Sequence, residues 1–288
     1  MALTENRIVI VTGASRGVGK GVALALGGMG ATVYVTGRTL DDAGLPLPGT
    51  ITATADEITK RGGKGIAVQC DHRNQDEVRA LVARVIAEQG RIDVLVNNVF
   101  AVPADLIEQV PFWERPDSHW DDMIDLGLKS HYIAAQAAAP HMVKQGEGLI
   151  VNISSPGARA YLHSPVYGMG KAATDKMAQD MAKELREHNV AALSLWPGIV
   201  KTERTNMALE MAPEAYAPLM DGLESPEYPG LVVDAIIKAG DVMNKSGKAW
   251  YTSELGAEYA VKDIDGRIPA SYREMLGGPA DPSDAMIR

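Results

Sequence analysis

The chain has 288 residues, a formal net charge of −9 and one cysteine, Cys70. With 46% hydrophobic and 23% charged residues it has the composition of a folded globular protein, so disorder as the dominant state is excluded. One cysteine excludes an intramolecular disulfide and a cysteine-cluster metal site. The acidic balance argues against nucleic acid as the main partner.

The sequence shows neither a membrane span nor a secretory signal. No apolar run reaches the roughly 18 residues that a membrane-spanning helix needs, so no membrane span is expected. The first residues, MALTENRIVIVTG, enter a strand-like run without the basic region and apolar core of a secretory signal. We therefore expect a cytoplasmic protein.

Short runs rich in Val and Ile alternate along the chain with longer segments whose apolar residues lie three and four positions apart. The first pattern predicts buried strands and the second predicts helices. In chain order, the predicted strands are residues 7–12, 32–36, 65–70, 92–97, 148–154, 190–196 and 248–252. The predicted helices are residues 17–29, 50–61, 75–89, 119–144, 165–188 and 225–240. In the last helix, Ser225 is the predicted N-cap and Pro226 the first helical residue.

This alternation predicts the fold class. Near-continuous apolar strands separated by helices indicate a parallel sheet covered on both faces. We expect an α/β protein with a doubly wound, Rossmann-type sheet of about seven strands and one domain over residues 1–288. The segment 199–224 is a predicted substrate loop, because long loops in compact domains are often functional. A tail follows from residue 253.

A glycine-rich turn, TGASRGVG at residues 12–19, joins the first strand to the first helix. Gly13 suits the tight turn, and Gly17 and Gly19 lack a Cβ where a pyrophosphate would approach the backbone. The N–H groups of the helix start would bind the anion, helped by the helix dipole. A tight turn without a ligand is the alternative. The turn residues predicted to contact a dinucleotide are Gly13, Ser15, Arg16, Gly17, Val18 and Gly19.

Charged residues near the second strand bear on the choice of cofactor. A protein specific for NAD would usually place an acid at the end of this strand for the ribose 2′-hydroxyl, but here Arg38 ends the run TGR. A guanidinium suits a 2′-phosphate, and Arg16 could reach the same group. Asp41 and Asp42 lie close by and could serve a ribose instead. We therefore predict a preference for NADP(H), with NAD(H) possible.

Other polar residues close the third and fourth predicted strands. Asp71 follows strand three, where it could meet an adenine edge or simply form a turn. Asn97 and Asn98 close strand four, where their amides could tie neighbouring strand ends and line the cofactor groove. These positions lie at the carboxyl ends of strands, where open parallel sheets bind their ligands.

A tyrosine and a lysine, Tyr167 and Lys171, stand four residues apart in YGMGK at the start of a predicted helix. This spacing places both on one face. An ammonium beside a phenol lowers its pKa, so the Tyr could exchange a proton with an alcohol or carbonyl oxygen. Ser155, twelve residues before Tyr167, could hydrogen-bond the same oxygen, and Ser154 is the alternative.

Together these motifs resemble the short-chain dehydrogenase/reductase family. The matching stretches are TGASRGVG, the pair NN at 97–98, NISS at 152–155, YGMGK and PGIVKT at 197–202. The resemblance implies that Tyr167 is the general acid/base, that Lys171 binds the nicotinamide ribose, and that Ser155 orients the substrate oxygen. It also implies a homodimer or homotetramer and further cofactor contacts at Pro197, Gly198 and Thr202.

The chain departs from the family pattern in three places, one of which is the spacing of twelve residues between Ser155 and Tyr167, where thirteen is common. The family usually has N-N-A-G after strand four, whereas this chain has Val99 and Phe100 after the two asparagines. An Asn that supports a water-mediated proton path to the catalytic Lys aligns with Gly127.

These motifs are compatible with three functions. The first is an NADP(H)-dependent oxidoreductase acting on an apolar carbonyl or alcohol substrate, a property suggested by Phe112, Trp113 and Tyr161, with Phe100, near the expected pocket. The second is a catalytically weak nicotinamide-dinucleotide-binding sensor or scaffold, which Gly127 keeps open. The third is a Rossmann-like methyltransferase, which Arg38 and the Y-x-x-x-K motif do not support.

Overall fold

One parallel sheet of seven strands organises the chain in the computed structural model, which describes residues 6–103, 105–211, 213–283 and 285. The strands lie in the order β3-β2-β1-β4-β5-β6-β7, and every pair of neighbours is parallel. Their bounds are β1 Ile8–Thr12, β2 Thr32–Gly37, β3 Lys64–Gln69, β4 Val94–Asn97, β5 Gly148–Ile153, β6 Val190–Trp196 and β7 Ala249–Tyr251. The order reverses between β1 and β4, which is where a doubly wound sheet opens a crevice.

Helices connect the strands. They are α1 Gly17–Gly28, α2 Ile51–Lys60, α3 Gln75–Gln89, α4 Ser118–Trp120, α5 Ser130–Gln145, α6 Pro165–Leu185, α7 Glu203–Met211, α8 Pro213–Tyr216, α9 Tyr228–Lys238, α10 Val242–Lys245, α11 Thr252–Glu258 and α12 Arg273–Leu276. A π-helical segment, Asp121–Lys129, joins α4 to α5. Short 3₁₀ turns cover Phe112–Glu114, Pro156–Ala158, Arg186–His188 and Ala217–Gly222.

Apolar side chains of β1 alternate between two cores, one on each face of the sheet. Val9 and Val11 pack with the buried residues of α1, α2 and α9. Ile8 and Ile10 pack with those of α3, α5 and the end of α6. Since all five residues of β1 are buried, the strand is covered on both sides, as a doubly wound sheet requires.

The last large helix begins later than predicted. Residues 225–240 were expected to be helical with Ser225 as N-cap, but α9 begins at Tyr228 and has Pro229 in its first turn. The backbone N–H of Ser225 donates to the carboxylate of Asp263 at 2.7 Å, and its hydroxyl also donates to Asp263. The predicted cap was wrong: Ser225 lies outside the helix, where Asp263, 38 positions away, holds it, and Glu227 is at the N-cap position without a side-chain cap hydrogen bond.

The predicted helix 119–144 is also not uniform. Its first part has π-helical geometry over Asp121–Lys129, and regular α-helix follows only from Ser130. Apolar spacing does not separate the two geometries over so short a stretch, so the pattern missed the change.

The described residues were compared with the requirements of a membrane-spanning helix and of a metal site. No helix there is both long and apolar enough to cross a bilayer. The same residues contain no group of three or more His, Cys, Asp or Glu side chains placed to hold a metal ion.

Candidate active site

A cleft of about 970 Å³ lies at the carboxyl ends of the central strands. Its volume is in the range of cofactor and ligand sites. Ten of the predicted cofactor-binding residues line it, namely Gly13, Ser15, Arg16, Gly17, Val18, Gly19, Arg38, Asp71, Asn98 and Thr202. Predicted residues from five separated parts of the sequence therefore meet in one place.

The three glycines of the turn differ in what a Cβ atom at each position would meet. A Cβ at Gly13 would lie 2.8 Å from Cα of Val99, and one at Gly19 would lie 2.3 Å from Nδ2 of Asn98. At Gly17, whose φ is +58°, the nearest atom would be Cγ2 of Thr202 at 3.6 Å. Gly19 is thus required by packing within the protein, whereas Gly17 faces space. The prediction that both make room for a pyrophosphate fits Gly17 only.

Two asparagines fasten this edge of the sheet. Nδ2 of Asn97 donates to Oδ1 of Asn152 at 3.0 Å, which ties β4 to β5. Nδ2 of Asn98 donates to the carbonyls of Thr12 and Gly13 at 2.9 and 3.1 Å. The expectation that these amides tie neighbouring strand ends is confirmed, and the tie holds the glycine turn in place.

A carboxylate that sequence reasoning missed meets the glycine turn. The N–H of Gly17 donates to Oε2 of Glu203 at 3.0 Å, although the two residues are 186 positions apart. Glu203 directly follows Thr202 and opens α7. The contact shows that the N–H at the start of α1 points at an anionic oxygen, as a phosphate site requires.

Arg38 and Arg16 differ in how far they are engaged. The Arg38 side chain is 63% exposed, and its Nη1 lies 3.9 Å from Oδ2 of Asp71, a long and solvated ion pair. Nη2 of Arg16 donates to the carbonyl of Gly49 at 3.1 Å. Asp42 accepts the N–H of the same Gly49, so its carboxylate stabilises the loop. Arg38 is thus the guanidinium that can turn toward the cleft at little cost.

Ser155 and Tyr167 meet beside the cleft, where their hydroxyl oxygens lie 2.9 Å apart. Ser164 caps α6 by accepting the N–H of Tyr167, so the Tyr falls in the first helical turn. The ring fits because residue 157 is Gly: a Cβ there would lie 2.4 Å from Cε1 of Tyr167. Local capping and one missing Cβ therefore place the phenol against Ser155.

The neighbouring Ser154 faces the other way. It is 3% exposed, and its hydroxyl donates to the carbonyl of Lys171 at 3.2 Å. The structure thus separates the two serines that the sequence left open, since Ser155 alone of the pair contacts the Tyr167 hydroxyl.

Burial dominates the proton affinities of the Tyr and the Lys. It raises the pKa of Tyr167 above its ordinary value, although the hydrogen bond with Ser155 works in the other direction. Burial lowers the pKa of Lys171 to about 8, opposed by the nearby carboxylate of Asp175. Nζ of Lys171 lies 5.8 Å from the centre of the Tyr167 ring. The expectation of a lowered Tyr pKa is therefore wrong for the protein's own groups, because desolvation by burial is the largest influence on the phenol and outweighs the Ser155 hydrogen bond.

Asp175 is a second group that sequence reasoning missed. It lies one helical turn beyond Lys171, and its Oδ2 accepts the indole N–H of Trp196 at 2.9 Å. Burial raises its pKa to about 6, while the hydroxyls of Ser154 and Ser194, Trp196 and the Lys171 charge oppose the rise. The spacing of four from Lys171 was the sequence signal that could have revealed it.

Four predicted cofactor residues, Tyr167, Lys171, Pro197 and Gly198, are not among the residues that line the cleft. Pro197 is buried at the end of β6. The N–H of Gly198 donates to Oε1 of Glu224 at 3.0 Å, and a Cβ at Gly198 would lie 2.7 Å from Cε2 of Tyr272. Glu224 is fully buried, and burial raises the pKa of its carboxyl to about 8. Glu224, which no sequence motif indicated, therefore fixes the backbone at Gly198.

The fold and this arrangement define a class: a dinucleotide-binding α/β protein with a Ser–Tyr–Lys group at the carboxyl edge of its sheet. The family described as short chain dehydrogenase matches residues 7–212. Dehydrogenase/reductase SDR family member 1 of Mus musculus is 43% identical over 282 residues, which are 94% of this chain and 88% of the mouse protein.

Solved structures that resemble this chain belong to proteins of the same kind. A short-chain type dehydrogenase/reductase from Mycobacterium marinum is 28% identical with a TM-score of 0.72, over 86% of this chain and 94% of that one. A metagenomic short-chain oxidoreductase (SDR) in complex with NADP is 29% identical with a TM-score of 0.64, over 81% and 91%. The chain belongs to the short-chain dehydrogenase/reductase family, whose members are oxidoreductases acting on alcohol or carbonyl groups.

Proposed function

We propose that the protein is an NADP(H)-preferring oxidoreductase that acts on a small, apolar carbonyl or alcohol compound. The observation that carries the proposal is the 2.9 Å contact between the hydroxyls of Ser155 and Tyr167, with Lys171 one helical turn away. Two hydroxyls that converge beside a cleft can bind one substrate oxygen together. The bound nicotinamide would supply or accept the hydride.

The protein's own residues handle the proton. Because burial raises the pKa of Tyr167, its phenol is protonated at neutral pH, the form that can donate a proton to a carbonyl oxygen. Ser155 holds that oxygen at the phenol. Lys171, whose Nζ donates to the carbonyl of Ile153 at 3.3 Å, would bind the nicotinamide ribose and would favour the phenolate after transfer.

The residues of the cleft fit a dinucleotide. The Gly17 N–H donates to a carboxylate oxygen of Glu203, which supports a phosphate site at the turn. Arg38 and Arg16 line the same cleft and would pair with a 2′-phosphate, which supports NADP(H). A related structure holds NADP. Asp41 also lines the cleft and keeps NAD(H) as the second candidate.

An apolar substrate is supported by the composition of the cleft wall. Phe100, Ala101, Val102 and Leu126 line it on the side of the catalytic group. The ring of Phe100 contacts Tyr167 edge-on, with centroids 6.0 Å apart. A substrate oxygen at Tyr167 would therefore be attached to a group surrounded by apolar atoms.

The remaining expectations stay predictions: one domain over residues 1–288, a homodimer or homotetramer, and a cytoplasmic location. The sensor or scaffold alternative is not favoured, because the hydroxyls of Ser155 and Tyr167 are in contact and Lys171 lies on the same helix as Tyr167. The match to an oxidoreductase family weighs against it as well.

Titration followed by turnover tests the proposal. NADPH and NADH fluorescence would give the two dissociation constants, and a panel of ketones and aldehydes of increasing apolar surface would be assayed with the tighter cofactor. We expect tighter NADPH binding and turnover that rises with apolar surface. Tyr167→Phe is the matched control, which should bind NADPH and lose most of its turnover. NADPH binding without turnover of any compound would favour the sensor alternative.

A further inference from the structure

Two departures from the family pattern, Phe100 and Gly127, contact each other. A Cβ at Gly127 would lie 3.0 Å from Cδ2 and 3.4 Å from Cε2 of the Phe100 ring. Gly127 is buried in the π-helical segment, and Phe100 follows β4. The ring therefore fills the place that a side chain at residue 127 would take, and the two positions form one packing unit.

The same ring faces the proposed Tyr–Lys pair. Nζ of Lys171 lies 4.6 Å from the centre of the Phe100 ring, within the distance at which an ammonium is attracted to an aromatic face. Phe100 and Tyr167 pack edge-on, with an interplanar angle of 80°. One side chain thus contacts both groups from the cleft side.

Few other groups hold the Lys171 ammonium. Its Nζ donates to the carbonyl of Ile153, and no carboxylate among the described residues forms an ion pair with it. Asp175, on the same helix, acts on it through space. His131, on α5, is neutral because burial and the Lys171 charge lower its pKa to about 3. Tyr167 is protonated at neutral pH. The Phe100 face is therefore one of the few groups that attract the charge, with the Ile153 carbonyl and the Asp175 carboxylate.

We propose that Phe100 is a positioning residue that holds the Lys171 ammonium against its ring and so replaces the amide side chain that Gly127 lacks. The inference rests on the role proposed above for Lys171. A ring attracts the cation but neither accepts nor passes a proton. It therefore fixes where the ammonium lies, and residue 127 contributes no side chain to any proton path.

Fluorinated phenylalanines at position 100 test the attraction at nearly constant shape, because each fluorine weakens the negative face of the ring. Acetic anhydride labelling across pH, read out on Lys171 by mass spectrometry, gives the midpoint of its deprotonation. We expect a wild-type midpoint near 8 and a fall of about 0.5–1 pH unit with the pentafluoro ring. Lys176, which is exposed on the same helix, is the internal reference and should not move.

A midpoint of Lys171 that does not change with fluorination would overturn the proposal. The measurement needs neither cofactor nor substrate, so it can succeed even if the NADP(H) oxidoreductase proposal fails, and it can fail while that proposal stands.

A double-mutant cycle tests the packing unit independently. Gly127→Asn alone forces the new side chain against the ring, and Phe100→Ala alone removes the cation's partner, so each should weaken NADPH binding. In the double variant the Asn has room and can approach Lys171. We expect the double variant to bind NADPH more tightly than either single variant, a coupling of at least about threefold. Thermal melting would show that all three fold. If the losses of NADPH affinity in the two single variants add up in the double variant, the proposal that Phe100 replaces a side chain at residue 127 is overturned.

Discussion

The hydroxyl of Ser155 lies 2.9 Å from that of Tyr167, and this contact joins the end of β5 to the first turn of α6. The adjacent Ser154 has the same side chain but points at the backbone of Lys171. The chain thus offers a matched pair of serines, one at the proposed site and one behind it.

Substitution of these hydroxyls should separate chemistry from structure. Tyr167→Phe keeps the ring and removes the acid, so turnover should fall by about 10²–10⁴-fold, the usual share of general acid–base catalysis. Ser155→Ala should also lower turnover, and Ser154→Ala much less. Initial rates with saturating NADPH would measure this. Equal effects of the two serine variants would contradict the assignment of Ser155.

Removal of Arg38 should reduce the preference for NADPH. Its exposed pair with Asp71 is weak, so the guanidinium is available to the 2′-phosphate. A charge-assisted hydrogen bond is worth about 1.5–3 kcal/mol, and Arg38→Ala should weaken NADPH binding by roughly ten- to hundredfold while NADH binding changes little. Fluorescence titration measures both. Arg79→Ala, whose side chain bonds Gln136 away from the cleft, is the control.

Glu203 should compete with the cofactor for the glycine turn. Its carboxylate accepts the Gly17 N–H, where a phosphate oxygen is expected, and like charges repel. Glu203→Gln should therefore tighten NADPH binding several-fold, by about 1 kcal/mol. Glu210→Gln on the same helix changes net charge equally and is exposed, so it should have little effect. If both variants tighten binding equally, long-range charge and not this contact is responsible.

The predicted substrate loop, residues 199–224, should exchange amide hydrogens quickly in its described middle part. No residue of Glu203–Asn206 or of the following residues to Glu210 is buried, unlike α6 with its buried Thr174 and Ala178. Weakly buried helices open at low free energy. Hydrogen exchange with mass spectrometry should show fast exchange there, slowed by NADPH with a substrate. Protection equal to that of α6 before any addition would rule out a moving loop.

Glu224 should make stability depend on pH. Burial raises its pKa from 4.5 to about 8, so its contribution to stability is present below pH 4.5 and is lost as pH rises through about 8. Glu224→Gln keeps an oxygen that can accept the Gly198 N–H, and it replaces the titratable carboxyl with a neutral amide. Its advantage over the wild type should grow by on the order of 1–3 kcal/mol between pH 4.5 and 8.

Urea unfolding at several pH values measures this dependence on Glu224. The exposed Glu187→Gln is the control, and its stability relative to the wild type should stay flat. A flat difference for Glu224→Gln as well would show that the buried carboxyl does not take up its proton on folding.

Local signals determined the elements. The helix Gln75–Gln89 and the strand Val190–Trp196 have the predicted bounds, because Asn74 caps one end of α3, the left-handed Gly90 closes the other, and β6 is buried throughout. The motifs also predicted ten of the residues that line the cleft, since carboxyl ends of parallel strands meet at one edge.

Tertiary structure decided the finer points. Ser155 and not Ser154 faces Tyr167 because the backbone at the end of β5 sets the direction of each side chain. Gly19 is required by its close approach to Asn98, which the glycine motif by itself did not indicate.

Local patterns could not predict these contacts, because the residues that meet are far apart in the sequence. Glu203 meets Gly17 over 186 residues, and Phe100 takes the space beside Gly127 from a different element. Periodicity and motifs describe one segment at a time, so they give which face is apolar and which residue types recur. Only the packed sheet brings distant segments together and settles which side chain occupies a given space, because that depends on the volume and charge of neighbours that no local pattern contains.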